Sequence, residues 1–208
     1  TVSTSSVTVT IAEVGAQVLL TDLARDGHGN PAIELGTVLG SAIAKKMDQD
    51  LLALFDGFST SLGGAGTEIT VADIFKAVAI LQNNNAPGSM AAVIHPYTAY
   101  QLKANLTNTF ANPHGGDAQN EAMRSSFVGS LGGVDIFQSS NLTVDGNDDV
   151  KGAVFSREAL AIALKRDFQI ETQRDASLRA TELNATAVYG VGELDDTYGV
   201  ELFFDAAV

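Results

Sequence analysis

The sequence predicts an α+β fold in which long β segments open and close the chain and helices occupy much of the part between. Three observations predict it. Polar and apolar residues alternate over residues 6–20 and again over the last forty residues. An apolar repeat of four-residue spacing runs from Leu35 to Phe55. The regular strand–helix–strand rhythm of a doubly wound sheet is missing, as is any internal repeat of fixed period.

Taken in order, Val7, Val9 and Ile11 occupy one phase of the first alternation, and Ala16, Val18 and Leu20 the other. The first strand is therefore expected to bend or bulge near Gly15. So long an opening strand, with no partner before it, reads as the second arm of a hairpin. Asn30-Pro31 then supplies an N-cap and a first-turn proline. Leu35, Leu39, Ile43, Met47, Leu51 and Phe55 follow, and Gly57 is the stop. This predicts a helix over 31–57, roughly 40 Å long at about 1.5 Å per residue. Gly36 and Gly40 inside it each cost about 1 kcal/mol against alanine, so their expected role is to admit another backbone.

Residues 59–69 read as a flexible connector. Thr70 with Asp73 resembles a capping box, and the helix it opens runs through Ile74, Val78 and Leu81 until the Asn-rich break at 83–88. Met90–Ile94 reads as a buried strand, and Pro96 opens a third helix carrying Tyr97, Tyr100, Leu102 and Leu106. The polar stretch 107–120 is expected to be a loop. A short helix near 118–126 and a strand over Val134–Gln138 come next. After the turn at 146–149 the reading places a strand over Ala153–Ser156 and a short helix over Arg157–Leu164. Alternation then predicts strands around Phe168–Ile170, over Leu178–Val191 and over Val200–Phe204.

Composition narrows the function. The 208 residues, 45% of them hydrophobic, suit one compact unit or one unit with a lobe. The chain has no cysteine, which excludes disulfides and thiolate metal sites. Twelve bases face twenty-five acids, for a net charge of −13, and no basic residue follows Arg179. The bases never cluster beyond Lys45–Lys46 and Lys165–Arg166, so no positive surface for a nucleic-acid backbone is expected. Lys45, Lys46, Asp48 and Asp50 exclude the long helix as a membrane span, and no secretory leader pattern opens the chain. The expectation is a soluble protein without membrane contact.

Catalytic motifs are absent: no dinucleotide or phosphate loop, no nucleophile elbow and no zinc-protease helix. His28, His95 and His114 lack ligand spacing. His95, between a strand and Pro96, is either a general base in a cleft or the fixing residue of a strand-to-helix corner, and the corner is the favoured reading. Asp145-Gly-Asn-Asp-Asp149 and Asp195-Asp196 have the oxygen density of cation loops without the calcium-loop order, and read as turns. No catalytic residue, metal or cofactor is assigned.

Several segments, in succession, resemble the major capsid proteins of tailed phages, whose fold is shared with encapsulin compartments. They are SSVTVTIAEVGAQVLLTDLA (5–24), AIAKKMDQDLLALFDG in the long helix, VADIFKAVAILQ, AAVIHPYTAYQLKANL, GSLGGVDIFQSSNL, GAVFSREALAIAL and the closing DFQIETQRDASLRATELNATAVYGVGELDDTYGVEL. The resemblance implies an E-loop return strand over 1–20 and a peripheral P domain over 21–85 with its spine helix at 31–57. It places an axial A domain over 86–165 and P-domain strands over 166–208. The implied function is a structural, non-enzymatic subunit that self-assembles into pentamers and hexamers of an icosahedral shell. That shell would enclose double-stranded DNA without reading its sequence. Further partners would be scaffolding, portal and cement proteins, and the location the virion, after assembly in the bacterial cytoplasm. Inter-subunit contacts are expected at Val7, Val9, Ile11, Asn112, His114 and Asp117. The first E-loop arm belongs ahead of residue 5, and no lysine–asparagine pair is identified for covalent cross-linking. The alternatives are an encapsulin-like compartment for a cargo enzyme and a hydrolase using His95. A tail or adhesin β protein conflicts with the helices.

Overall fold

The computed structural model describes residues 6–27, 31–110 and 130–207. In chain order its strands are β1 (Ala12–Thr21), β2 (Ser61–Gly63), β3 (Met90–Ile94), β4 (Ser130–Leu131), β5 (Val134–Gln138), β6 (Asp149–Ser156), β7 (Leu160–Asp175), β8 (Ala180–Glu193) and β9 (Gly199–Asp205). Its α-helices are α1 (Asp22–Gly27), α2 (Pro31–Leu52), α3 (Val71–Asn83) and α4 (Pro96–Phe110). The fold is α+β, as the sequence predicts. The chain divides into two compact units, one of Thr1–Leu51 with Ile162–Gly192 and one of Leu52–Ala161 with Glu193–Val208.

In the first unit the strands form a sheet of order β1-β8-β7. β1 and β8 pair antiparallel without interruption from Ala12↔Tyr189 to Thr21↔Ala180. The bulge expected near Gly15 is therefore absent. Val14, Ala16, Val18 and Leu20 keep one phase throughout, and the change of phase in the sequence marks residues 6–11, which precede the ladder. Leu39 and Ile43 of α2 pack with Leu20, Leu183, Ala185, Ala187 and Tyr189. Gly36 and Gly40 do not admit a backbone, as expected from sequence, but side chains. A Cβ at either would stand 3.7 Å from Ile170 and Phe168 respectively. The two β7 residues thus lie against the glycine stripe of α2. Arg174 closes the unit at its turn, donating through both terminal nitrogens to the two Asp22 oxygens at 2.8 Å. This fork geometry positions both groups, and the Arg174 hydrogen bond holds the Asp22 carboxyl below its ordinary value.

The helix expected over 31–57 is α-helical only to Leu52, and Ala53–Gly57 tighten into a 3-10 turn. Three residues per turn bring side chains at i and i+3 into line. Here the tightening stacks Phe55 on Phe58, centroids 6.3 Å apart, with both rings buried.

The second unit holds a mixed sheet of order β2-β9-β6-β3-β5-β4. Alternate residues serve two apolar clusters. Ala92, Ile94, Val154, Val200, Leu202 and Phe204 pack with α3 and α4, whereas Val93, Ala153 and Phe155 pack with Phe55, Phe58 and Leu142. Residues 59–69 are not a loose connector. They contain β2, parallel to β9, and are pinned by Gly64 N–H to the Phe203 carbonyl (2.9 Å) and Gly66 N–H to the Asp149 carboxylate (2.8 Å). Gly63 is required there, because its φ is +94° and a Cβ would meet the Phe203 carbonyl at 2.2 Å.

Two further expectations change. Residues 107–110 continue α4 rather than starting a loop, and the short helix near 118–126 lies outside the described residues. Arg157–Leu164 is not a helix. Ala159 N–H closes a turn on the Ser156 carbonyl (2.9 Å), and Leu160 opens β7. A short apolar run cannot by its own period distinguish helix from strand, and here the adjoining alternation extends it as strand.

The start of α3 follows the sequence closely. The Asp73 carboxylate accepts from the Thr70 backbone N–H at 3.0 Å and from its hydroxyl at 2.6 Å. Asp73→Ala is expected to cost about 1 kcal/mol, to be read from chemical denaturation. A change too small to measure would mean that water serves these donors equally well.

Candidate functional site

The described residues offer two kinds of feature that can carry chemistry, surfaces and a few buried polar groups. Among the described residues no group of three or more His, Asp or Glu is placed to hold a metal ion. The two acidic motifs act as turns. Asp145 Oδ1 accepts from the N–H groups of Asn147 and Asp149 at 2.8 and 2.9 Å, and Asp195 Oδ1 from the Thr197 N–H and hydroxyl at 3.0 and 2.6 Å. No described helix is long and apolar enough to cross a membrane.

His95 is 9% exposed and sits where β3 turns into α4. Its Nδ1 accepts from the Tyr97 N–H at 3.3 Å, and its carbonyl accepts from the Ala99 N–H and the Thr98 hydroxyl at 2.9 and 2.8 Å. The Tyr97 ring meets the imidazole edge-on, with centroids 5.0 Å apart. These are the contacts of a corner residue, one that caps α4 as an aspartate or asparagine would. The cap needs an unprotonated Nδ1, and burial pushes the imidazole below its ordinary value. Between that folded value and about 6.5 the unfolded chain binds more protons, so stability rises with pH. We expect the His95 contribution to be complete above about pH 6.5 and to fade on acidification through the folded value. Melting curves of wild type and His95→Asn, whose amide oxygen keeps the cap without titrating, should move apart on acidification as the wild type alone loses stability; a difference independent of pH would contradict this.

Among the described residues, β1 and β7 are the edge strands of the first unit's sheet, each paired on one side only, with β8. Open edges of this kind invite pairing with another chain. β7 is exposed along most of its length, and Ile162 and Leu164 remain on the surface. Ahead of β1, Val9 lies over β8, its methyls close to where a Cβ at Gly190 or Gly192 would stand (3.0 and 2.8 Å). Val7 and Ile11 are 49% and 41% exposed. The three apolar residues expected at contacts are thus split, with Val9 packed on its own sheet and its neighbours free on the surface. Asn112, His114 and Asp117 lie outside the described residues.

Two buried groups were not visible in the sequence. Tyr189 donates to Asp50 at 2.7 Å, and Asp50 also takes Lys46, one helical turn before it. Burial and then the Asp50 carboxylate push the Tyr189 hydroxyl up to about 12. In the second unit Lys151 bonds Asp56 and lies 3.5 Å from the buried Glu201. No local spacing announces that group, because its members come from a turn and two strands far apart in sequence. Charge is unevenly divided. The first unit carries ten acids and seven bases, net −3, and the second fifteen acids and five bases, net −10.

The phage capsid protein family matches residues 4–201. The chain belongs to the phage capsid protein family. It is a structural major capsid protein, a component of the virion. Solved structures agree in fold. A structure from Mycobacterium phage Che8 superposes with a TM-score of 0.75 at 21% identity, covering 92% of this chain and 70% of that one. The capsid of cyanophage P-SCSP1u gives 0.73 at 19%, covering 96% and 74%. An encapsulin complex from Synechococcus elongatus gives 0.70 at 13%, covering 95% and 76%. No curated protein matches in sequence. The encapsulin likeness is one of fold. In a capsid protein, open sheet edges and exposed apolar residues are the features that matter, since copies associate with one another to form the shell.

Proposed function

We propose that this capsid protein assembles as pentamers and hexamers of an icosahedral shell around double-stranded phage DNA. The observation that carries the reading is the family match across residues 4–201. In this reading residues 1–20 form the returning E-loop strand, 21–85 the P domain with the spine helix, 86–165 the A domain, and 166–208 the closing P-domain strands. Val7 and Ile11 reach toward a neighbouring subunit while Val9 packs on its own β8, and Asn112, His114 and Asp117 reach toward the capsomer axis. Rings of this kind use heterologous contacts, in which one surface meets a different surface on the next copy. The open outer edges of β1 and β7 support that arrangement. Assembly takes place in the host cytoplasm, with scaffolding, portal and cement proteins as further partners.

The charge fits a container that holds DNA without binding its sequence. A unit of net −10 repels phosphate, so an acidic lining would leave the packed genome free to move. Acids of the second unit found on the outer shell face would remove that argument. Negative-stain electron microscopy of the purified protein tests the main proposal. Closed shells, or rings of five and six, are expected. A monomer at high concentration would contradict it, and shells carrying a cargo enzyme instead of nucleic acid would point to a compartment.

A further inference from the structure

The residues that leave the long helix are held largely by ionisable groups. Lys151 of β6 bonds Asp56 and approaches Glu201 of β9. Glu193, at the end of β8, sets a carboxylate oxygen so near Gly57 that a Cβ there would stand 2.9 Å from it. The Ser59 N–H donates to one oxygen of Asp196 at 2.6 Å, and the Ser59 hydroxyl donates to the other. The Thr60 carbonyl accepts from the Glu201 N–H at 2.8 Å. From Asp56 to Thr60, therefore, three of five residues meet an ionisable side chain, and Thr60 is held by a backbone bond to β9. The fifth, Phe58, is buried in the core.

The balance of charge around Glu193 is one-sided. Its own turn brings Asp195 and Asp196, whereas Asp56 of the 3-10 turn acts on Glu201. The turn between β6 and β7, whose Ala159 carbonyl accepts the Leu194 N–H at 2.7 Å, carries Arg157 and Glu158. Strands β6 and β9 add Lys151 and Glu201, but Lys151 is engaged with Asp56 and Glu201. Burial pushes the Glu193 carboxyl up, and Asp196 and then Asp195 push it further. Burial raises Glu201 as well, offset in part by Lys151.

We propose that residues 56–60 form an acid-set latch: with Glu193 protonated, its turn closes on Gly57–Ser59, and as pH rises the charge on Glu193 is repelled by the acids beside it and the segment loosens. The sign follows from linkage. A carboxyl whose folded value lies above its free value binds more protons in the folded state. Its contribution is complete below the free value and is lost as pH rises through the folded one.

Hydrogen exchange of the intact protein between pH 5 and 8, corrected for the intrinsic rate, tests the latch. Amides of Phe58–Ser61 should lose protection several-fold relative to α3 as pH rises. Glu193→Gln, which keeps the shape of the side chain without its charge, should abolish that loss, and Asp196→Asn should do so independently. Protection at 58–61 that tracks α3 at every pH would overturn the proposal. So would an undiminished loss in either variant.

Discussion

Phe55→Ala is expected to destabilise the second unit by about 3–5 kcal/mol, the range for an aromatic ring deleted from a core that cannot close over the gap. Phe55 is 0% exposed. Its ring stacks on Phe58 and meets Phe155 with centroids 5.3 Å apart, in a cluster with Leu52, Leu142 and Val150. The surroundings have little freedom to relax. On one side the 3-10 turn is tethered through Asp56 and Ser59, and on the other β6 is hydrogen-bonded to both β3 and β9. The cavity should therefore persist. Phe137→Ala provides the comparison, since that ring is 53% exposed on β5 and its loss should cost roughly 1 kcal/mol or less. Urea denaturation of the two variants measures the difference. Equal losses would show that the tightened helix end does not organise this core.

That same helix end shows where sequence reading stops. The four-residue repeat identifies the whole of α2, because every inward position is apolar over several turns. It cannot report that the last turn tightens, since Phe55 and Phe58 satisfy either geometry until the opposing Phe155 is known. Strands β8 and β9 were legible from their alternation, and β3 and β5 as short apolar runs bounded by turn residues. Leu160–Leu164 was not, because five apolar and small residues carry no decisive period, and the pairing that makes them strand is tertiary. The phase change near Gly15 was a true signal misplaced: it records the end of pairing at Ala12, where Val9 passes over Gly190 and Gly192. His95 was legible as a corner from the strand before it and Pro96 after it. The ionic group of Asp56, Lys151 and Glu201 was hidden, because charge contacts at long sequence separation leave no periodic trace.

Val7→Asp combined with Ile11→Asp is expected to abolish shell formation while leaving the fold intact. Both side chains are exposed and both precede the β1 ladder, so the substitutions break no pairing and should change stability by less than about 1 kcal/mol. At a subunit contact the effect differs in kind. A carboxylate taken from water without a partner costs several kcal/mol, and the double variant brings two of them to every copy of the contact. A shell built from copies of one chain repeats that contact at every copy, so the penalty falls on every step of growth. Val9 would be a poor choice for this test, because it packs on its own β8 and its replacement would confuse folding with assembly. Sedimentation velocity separates free subunits from shells, and a melting curve of the free variant reports its fold. Unchanged melting with loss of shells places the contact at Val7 and Ile11. Shells formed at the normal concentration would move it elsewhere, first to the open edge of β7, where Ile162 and Leu164 present the same chemistry on a strand paired along one side only.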